Sequence, residues 1–334
     1  LHNNVVLRRE YFGGLVFNRD TGNTIDVDRE AFVLLELLGQ NSGLFKKEII
    51  LLLKKNNISI SMIDLTVMLK TLIGNKIISY GKTEYEDRNI DILSNSISDD
   101  WPKTNYLSTP ETVHWAATYR CDSNCPDCYA RRHKDLFQEM NFCEAKTMID
   151  KLVELKVFQL AIGGGEALVR DDIVDIVKYA ADNGLAVHIT TNINNFDRQK
   201  VQEMSRDLTS IQFGIDVDSL FSDKKQLENL HLSFLLAREM KLNTGVNLVL
   251  TKTVINNFEY IVKSLVEIGF RRIVLLRYKP HDNKKHWLQE NITPEGFKAF
   301  ETYLENLIEQ YNNIKFRYDC ALSFLQRKVD PECT

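Results

Sequence analysis

Hydrophobic positions run along the chain in two rhythms. Over residues 1–85, short β-like runs come first, at 5–7, 14–17 and 24–27, the last two separated by the turn-forming stretch 18–23. Helical spacing follows. Asp28 is placed to cap a helix through 30–38 that Gly39 closes, and a second helix fits 45–54. A third fits 61–73, where Ile63, Val67, Leu69 and Leu72 recur. A strand at 77–80 ends the segment. Three strands and then three helices predict a small winged-helix-like α+β domain. Residues 86–110, polar and rich in turn formers, predict a linker.

From residue 111 the rhythm changes to regular alternation. Apolar β-runs at 111–117, 159–162, 186–190, 210–215, 246–250 and 273–276 are each followed by a helical stretch. Those helices fall at 143–156, 172–183, 199–207, 227–240, 256–268 and 294–311, with Gly184 and Gly269 closing two of them. Counted from Val113 there are six β/α units, which implies an α/β domain with a parallel sheet over 111–318. In such a fold the loops after the strands' C-terminal ends carry the chemistry. A last strand at 314–318 precedes the tail, 319–334.

Composition narrows the classes. The 334 residues suit two domains, and 44% hydrophobic with 26% charged residues is ordinary for a globular chain. A net charge of −4 offers no footprint for nucleic acid. The third helix of the first domain carries a single basic residue, Lys70, which argues against a DNA-reading winged helix. No apolar run of about 18 residues predicts a membrane span, and the polar start with Arg8 and Arg9 does not read as a signal peptide. Six cysteines, three of them bunched, predict metal binding in a reducing compartment, hence the cytoplasm. The chain begins at Leu1 and ends at Thr334 without a terminus signal, so a portion of a longer protein is expected.

The bunched cysteines change the picture most. Cys121, Cys125 and Cys128 are spaced CxxxCxxC directly after the first strand of the second domain, with Tyr129 behind them. Thiolates favour soft metals such as iron–sulfur clusters, zinc or copper(I). Zinc and simple electron-transfer clusters take four protein ligands, and the next cysteine, Cys143, falls in a predicted helix. A cubane held by three thiolates leaves one iron open. A zinc knuckle and a disulfide loop are the alternatives. The motif resembles that of the radical S-adenosylmethionine enzymes. Asp127 departs from the family pattern, where an aromatic or His precedes the last cysteine.

That resemblance implies the rest of the site. The fold becomes an open six-unit (β/α)6 partial TIM barrel, and the cofactors a [4Fe–4S] cluster on Cys121, Cys125 and Cys128 with S-adenosylmethionine on its open iron. Reductive cleavage would yield a 5′-deoxyadenosyl radical that takes hydrogen from a substrate. Gly163, Gly164, Gly165 and Glu166 match the family's GGE motif for the methionine amino group, with Ala167 where proline is usual. Thr191 and Asn192 end the third strand where a polar motif meets the cofactor. Asp216 stands where an acid faces the ribose, with Gly214 replacing a Ser and Asp218 competing for the role. Asn247 and Arg277 fall where they would face the cofactor, Arg277 pairing its carboxylate, and Tyr129 would pack beside the cluster. His114 reads as a core histidine and Cys143 as a small hydrophobe. Trp287 fits a substrate mouth or a surface loop.

The first domain is similar to the leader-recognition domains of enzymes that modify ribosomally made peptides, where a leader adds as a strand beside the third helix. A purely structural cap is the other reading. Cys320 and Cys333 lie where a cysteine-rich, SPASM-like extension with an auxiliary cluster would begin, though two cysteines do not complete one. Together these readings imply a radical maturase of a precursor peptide, bound by its leader and supplied with electrons by a flavodoxin or ferredoxin. The product would be a thioether, a carbon–carbon crosslink or an epimer. Maturation of a folded protein, as in sulfatase-activating relatives, and a non-catalytic metal-stabilised binding module are the alternatives.

Overall fold

The structure is a computed structural model. It describes all residues except 42, 82–96, 98–99, 124, 126–127, 129, 131–137, 194–195, 281–282 and 327–334, and describes the backbone alone at 218, 219, 323 and 326. The chain divides into two compact units, Leu1–Glu111 and Thr112–Thr334.

In the first unit an antiparallel sheet, ordered β1 (Val5–Glu10), β2 (Gly13–Asn18), β3 (Asn23–Asp28), precedes three helices. The β2–β3 turn forms because the Asn18 side chain accepts from the backbone amides of Asp20 and Thr21. Helix α1 (Arg29–Gln40) starts where the Asp28 carboxylate accepts from Ala31 N. Helices α2 (Lys46–Lys55) and α3 (Met62–Gly74) follow, the latter capped by Ser61. Leu34, Leu35, Leu52, Leu65 and Leu72 bury the shared core. Ile77 and Ile78 are buried without forming the expected strand at 77–80. The Ile77 amide instead bonds to Leu72 O behind α3, and its carbonyl accepts from His2 N.

The stretch expected as a linker is held to this unit at its C-terminal end. Glu10, fully buried, accepts from Ser108 N and Ser108 Oγ, while Arg8 donates to Thr109 Oγ1 and Pro110 O. Trp101 lies against Phe32, with the guanidiniums of Arg9 and Arg29 within 4.5 and 5.1 Å of its ring centre.

The second unit is one parallel sheet of seven strands wound in chain order. The strands are β4 (Thr112–Thr118), β5 (Gln159–Gly164), β6 (Ala186–Asn192), β7 (Leu208–Gly214), β8 (Asn243–Leu250), β9 (Arg272–Arg277) and β10 (Lys315–Tyr318). Between them run α4 (Phe142–Glu154), α5 (Ile173–Asp182), α6 (Arg198–Glu203), α7 (Val217–Ser222), α8 (Lys224–Glu239), α9 (Lys252–Asn256), α10 (Phe258–Ile268), α11 (Lys284–Glu290) and α12 (Pro294–Gln310). The stretch at 314–318 thus enlarges the six-unit sheet by a seventh parallel strand beside β9. Edges β4 and β10 stay unpaired with each other, so the α/β barrel is partial.

Strand periodicity sorts the two faces. Leu160, Ile162, Val187, Ile189, Ile211, Phe213, Val246, Leu248, Ile273 and Leu275 form the buried face. The alternate residues, from Gln159, His188, Thr190, Asn192, Ser210, Gln212, Asn247, Arg272 and Arg317, give the other face a polar lining. Among the described residues, no helix is long and apolar enough to cross a membrane.

Candidate active site

The chemistry-bearing side chains gather at the C-terminal ends of β4 to β7. The cysteine loop leaves β4 and is joined at once to the glycine loop after β5. Gly165 N donates to Thr118 O at 2.7 Å, and Glu166 N donates to Arg120 O at 2.9 Å. These contacts explain the glycines. A Cβ on Gly164, whose φ is +112°, would stand 2.3 Å from Thr118 O, and one on Gly165 would stand 2.4 Å from Arg120 O. Gly164→Ala is therefore expected to cost about 3 kcal/mol and to lower iron incorporation, measured by urea unfolding and iron analysis.

A second set of contacts closes the loop at its base. Arg170, buried, donates to Ala117 O (2.6 Å) before the cysteines and to Met140 O (2.9 Å) after them, while pairing through two nitrogens with Asp172. Arg120 pairs with Glu139, which also accepts from the Thr118 hydroxyl. Neither clamp stood out in the sequence. The one signal was an arginine four residues past Glu166, beside two aspartates.

Cys121, Cys125 and Cys128 are free thiols at intermediate exposure, with Cys128 N turned back to Cys125 O at 3.3 Å. Burial pushes the Cys125 thiol up to about 11, and Asp216, Cys128 and Cys121 add to the rise. Burial likewise raises Cys121, with Glu166, Asp122 and Cys128 adding to it. The three sulfurs therefore lie within electrostatic reach of one another in a field that disfavours thiolate. A bound cationic metal centre reverses that balance, because coordination deprotonates a thiol outright. The donor set, soft thiols near acids, fits iron. Among the described residues, no three His, Cys, Asp or Glu side chains are grouped to hold a single metal ion.

Glu166 is 1% exposed. Its Oε1 accepts from Leu168 N (2.9 Å) and Thr191 Oγ1 (2.8 Å), and its Oε2 accepts from Asn192 N (2.7 Å). Burial raises its carboxyl pKa, while these three donors pull it down. A carboxylate offers about four acceptor positions, so one remains, on Oε2. Thr191 and Asn192 are thus joined to Glu166, a bond spanning β5 and β6.

The remaining expected residues divide by register. Asn247 pairs with Gly214, shares the polar face and points its amide at Thr190 Oγ1 (3.5 Å). Asp216 follows β7 close enough to raise Cys125. Gly163 lies beside Thr190. Arg277 shares the parity of Ile273 and Leu275, and its guanidinium lies 5.0 Å from the ring centre of Phe297 on α12. It stands away from the polar face, which removes the expected carboxylate partner. His114 is exposed on β4 and not a core residue, because its parity places it on the polar face. Cys143 is exposed too, on α4. Trp287 is half-buried in α11, and Cys320 is exposed in the turn after β10. Tyr129, Asp127 and Cys333 lie outside the described residues, as does the side chain of Asp218.

His188, lower on β6, is bonded on both ring nitrogens, donating from Nε2 to Gln159 Oε1 (2.9 Å) and accepting at Nδ1 from Ser210 Oγ (2.8 Å). Burial, followed by Arg317, Arg272 and His114, lowers its pKa to about 4. Below the ordinary value of 6.5 the unfolded chain takes up this proton before the folded one does. Stability from this group is complete above that value and is lost as the pH falls toward 4, by about 3 kcal/mol. His188→Gln is expected to flatten this part of the stability–pH curve, measured by denaturation across the window.

A parallel partial barrel with a three-thiol loop joined to a glycine–glutamate loop defines a radical S-adenosylmethionine domain. Residues 115–265, within the second unit, match the model of the Radical SAM superfamily. That superfamily uses a [4Fe–4S] cluster and S-adenosylmethionine. The chain is 35% identical over 86 residues to the mycofactocin maturase MftC of Mycolicibacterium smegmatis, a match covering 26% of this chain and 22% of that protein. It is 27% identical over 172 residues to the PqqA peptide cyclase of Bradyrhizobium diazoefficiens, covering 49% and 45%. These matches span less than half the length of either curated relative. In fold it resembles SuiB of Streptococcus suis, solved with its precursor peptide SuiA, with a TM-score of 0.67, 18% identity, and coverage of 98% of this chain and 74% of that one.

Proposed function

We propose that the chain is a radical S-adenosylmethionine enzyme that modifies a ribosomally made precursor peptide. The observation that carries this is the joining of the Cys121–Cys125–Cys128 loop to Gly165 and Glu166, which sets three thiols beside a buried carboxylate that keeps one acceptor position. Cys121, Cys125 and Cys128 would hold the cluster. When bound, the cluster and S-adenosylmethionine supply the carbon radical that takes hydrogen from the peptide. The chain's residues bind and orient. The last acceptor position of Glu166 takes the methionine ammonium, with Gly163–Gly165 letting the backbone approach and Thr191 and Asn192 fixing the carboxylate. Asp216 and Asn247 line the polar face beyond, for the adenosine. The partial barrel and its helices keep water from the reacting carbon.

Of the relatives above, one is by name a peptide cyclase and the other a maturase, and the likeness to SuiB spans nearly the whole chain. In this reading the first unit is a winged-helix-like leader-binding domain. Strand β3 is one of the two outer strands of its sheet, and α3 exposes Ile63 (76%) and Val67 (59%), one helical turn apart. An extended leader would add to β3 and lay an apolar side chain on that stripe. Ile63→Asp with Val67→Asp is expected to weaken precursor binding at least about tenfold while leaving cofactor cleavage without peptide unchanged, measured by fluorescence anisotropy of a labelled precursor.

Five free cysteines among the described residues suit a reducing cytoplasm, with a flavodoxin or ferredoxin as electron donor. An auxiliary cluster held in part by Cys320 and Cys333 belongs to the same reading, and more than four irons per reconstituted chain would support it. The decisive experiment reconstitutes the chain without oxygen, reduces it with S-adenosylmethionine and assays 5′-deoxyadenosine by mass spectrometry. Steady production, raised by a precursor from a neighbouring reading frame, is the expected result. A fully loaded cluster that makes none would sink the catalytic reading.

A further inference from the structure

The polar face of the barrel sheet holds a second cluster, formed by His188 on β6 and two arginines on β9 and β10. Arg272 opens β9, and Arg317 on β10 pairs in register with Val274. Both alternate with buried neighbours, Ile273 on one strand and Phe316 on the other, so both guanidiniums emerge on the polar face. His188 lies on that face four residues before Asn192, roughly 13 Å nearer the N-terminal ends. It is framed by Gln159 and Ser210.

A flat sheet would set β6 and β10 roughly 19 Å apart. Arg317 on β10, Arg272 on β9 and His114 on β4 nonetheless all act on His188. The curl of the partial barrel therefore brings these groups together across its interior. No carboxylate acts on His188 among the described residues. Among the same residues neither guanidinium has an ion pair or hydrogen bond, and Arg317 Nε is buried without a partner. Burial and then Arg317 lower the pKa of Arg272, as expected of two like charges held together. Guanidinium groups half-withdrawn from water are ordinarily paired, since desolvating a charge without a partner is costly. A fold that keeps two in one place has the form of a ligand site.

We propose that this part of the barrel interior binds an oxyanion, of carboxylate or phosphate type, held by Arg272 and Arg317. Two planar guanidiniums match either anion, because each presents a fork of parallel N–H donors to paired oxygens. The neutral ring of His188 is the neighbour that a bound anion would charge, and the Ser210 hydroxyl stands beside it. The site rests on strand register and partnering, and it holds whichever peptide reading proves right.

The test is calorimetric titration of the full chain, in low-chloride buffer, with inorganic phosphate in one arm and acetate in the other. Binding in the phosphate arm alone identifies a phosphate ligand, and binding in the acetate arm identifies a carboxylate-bearing one. Arg272→Gln and Arg317→Gln should each raise the Kd at least tenfold, with Arg317→Lys in between. Lys298→Gln, exposed on α12, should leave it unchanged. Removing either charge also relieves repulsion, so without anion both Gln variants should keep or raise the wild-type Tm, and anion should raise Tm in wild type only. Bound anion should also raise the His188 pKa, read from its ring resonances. No binding of either anion by wild type, or equal affinity in the Gln variants, overturns the proposal. So does a Gln variant that melts lower while still gaining stability from anion.

Discussion

Cys125→Ala is expected to leave a folded chain that makes no 5′-deoxyadenosine, a loss of at least about a thousandfold. Loss of a residue that merely supports a metal ligand costs about 10–100-fold, and a direct ligand more. The fold should survive because the loop is tied through main-chain atoms. Cys128 N bonds to the Cys125 carbonyl, and Gly165 and Glu166 hold Thr118 and Arg120. The thiol itself is only partly withdrawn from water. Iron per chain should fall with activity, while the Tm of the iron-free protein should move by a degree or two. Cys143→Ala is the matched control, since that thiol is exposed on α4 and should change neither quantity. Wild-type turnover in the Cys125 variant would remove the cysteine loop from the chemistry and leave the Gly-Gly-Gly-Glu loop without a function.

The alternation of strands and helices was legible because parallel strands show one continuously apolar face to their helices, and turn glycines punctuate the result. Gly184 and Gly269 end their helices at φ of +92° and +120°, a conformation few other residues adopt. The cysteine spacing and the glycine run were equally plain, being local. What stayed hidden depends on pairing across distance. Whether Arg277 or Asn247 meets the polar face turns on strand parity at the end of a short run, where a single residue's shift reverses every side chain. The same parity exposes His114. The bond of Thr191 to Glu166 spans 25 positions, and Arg170 reaches back 53 to Ala117. The stretch at 77–80 has β-like composition, yet its first amide is already used behind α3. The nearness of Arg272 to Arg317 comes likewise from the register of β9 with β10, 45 positions apart along the chain.

Glu166 separates scaffolding from binding, and two substitutions should pull them apart. Glu166→Ala removes the acceptor for Leu168 N, Asn192 N and the Thr191 hydroxyl. Thr191 has a second acceptor in Asn192 O at 3.2 Å, so two backbone amides are left stranded. At about 1–3 kcal/mol for each buried unsatisfied donor, the expected loss is about 2–6 kcal/mol. Affinity for S-adenosylmethionine should fall at least tenfold at the same time. Glu166→Gln keeps a carbonyl oxygen for Leu168 N and Thr191, but turns an amide NH2 toward Asn192 N, donor against donor. Its stability loss should be about half that of the Ala variant. Its cofactor affinity should drop just as far, because an ammonium needs the negative charge that only the carboxylate provides. Equilibrium dialysis with labelled S-adenosylmethionine, beside urea unfolding, reads both quantities on the same protein. If Glu166→Gln bound the cofactor like wild type, this carboxylate would be a strut between β5 and β6, and the ammonium would have to be held by backbone carbonyls of the glycine loop.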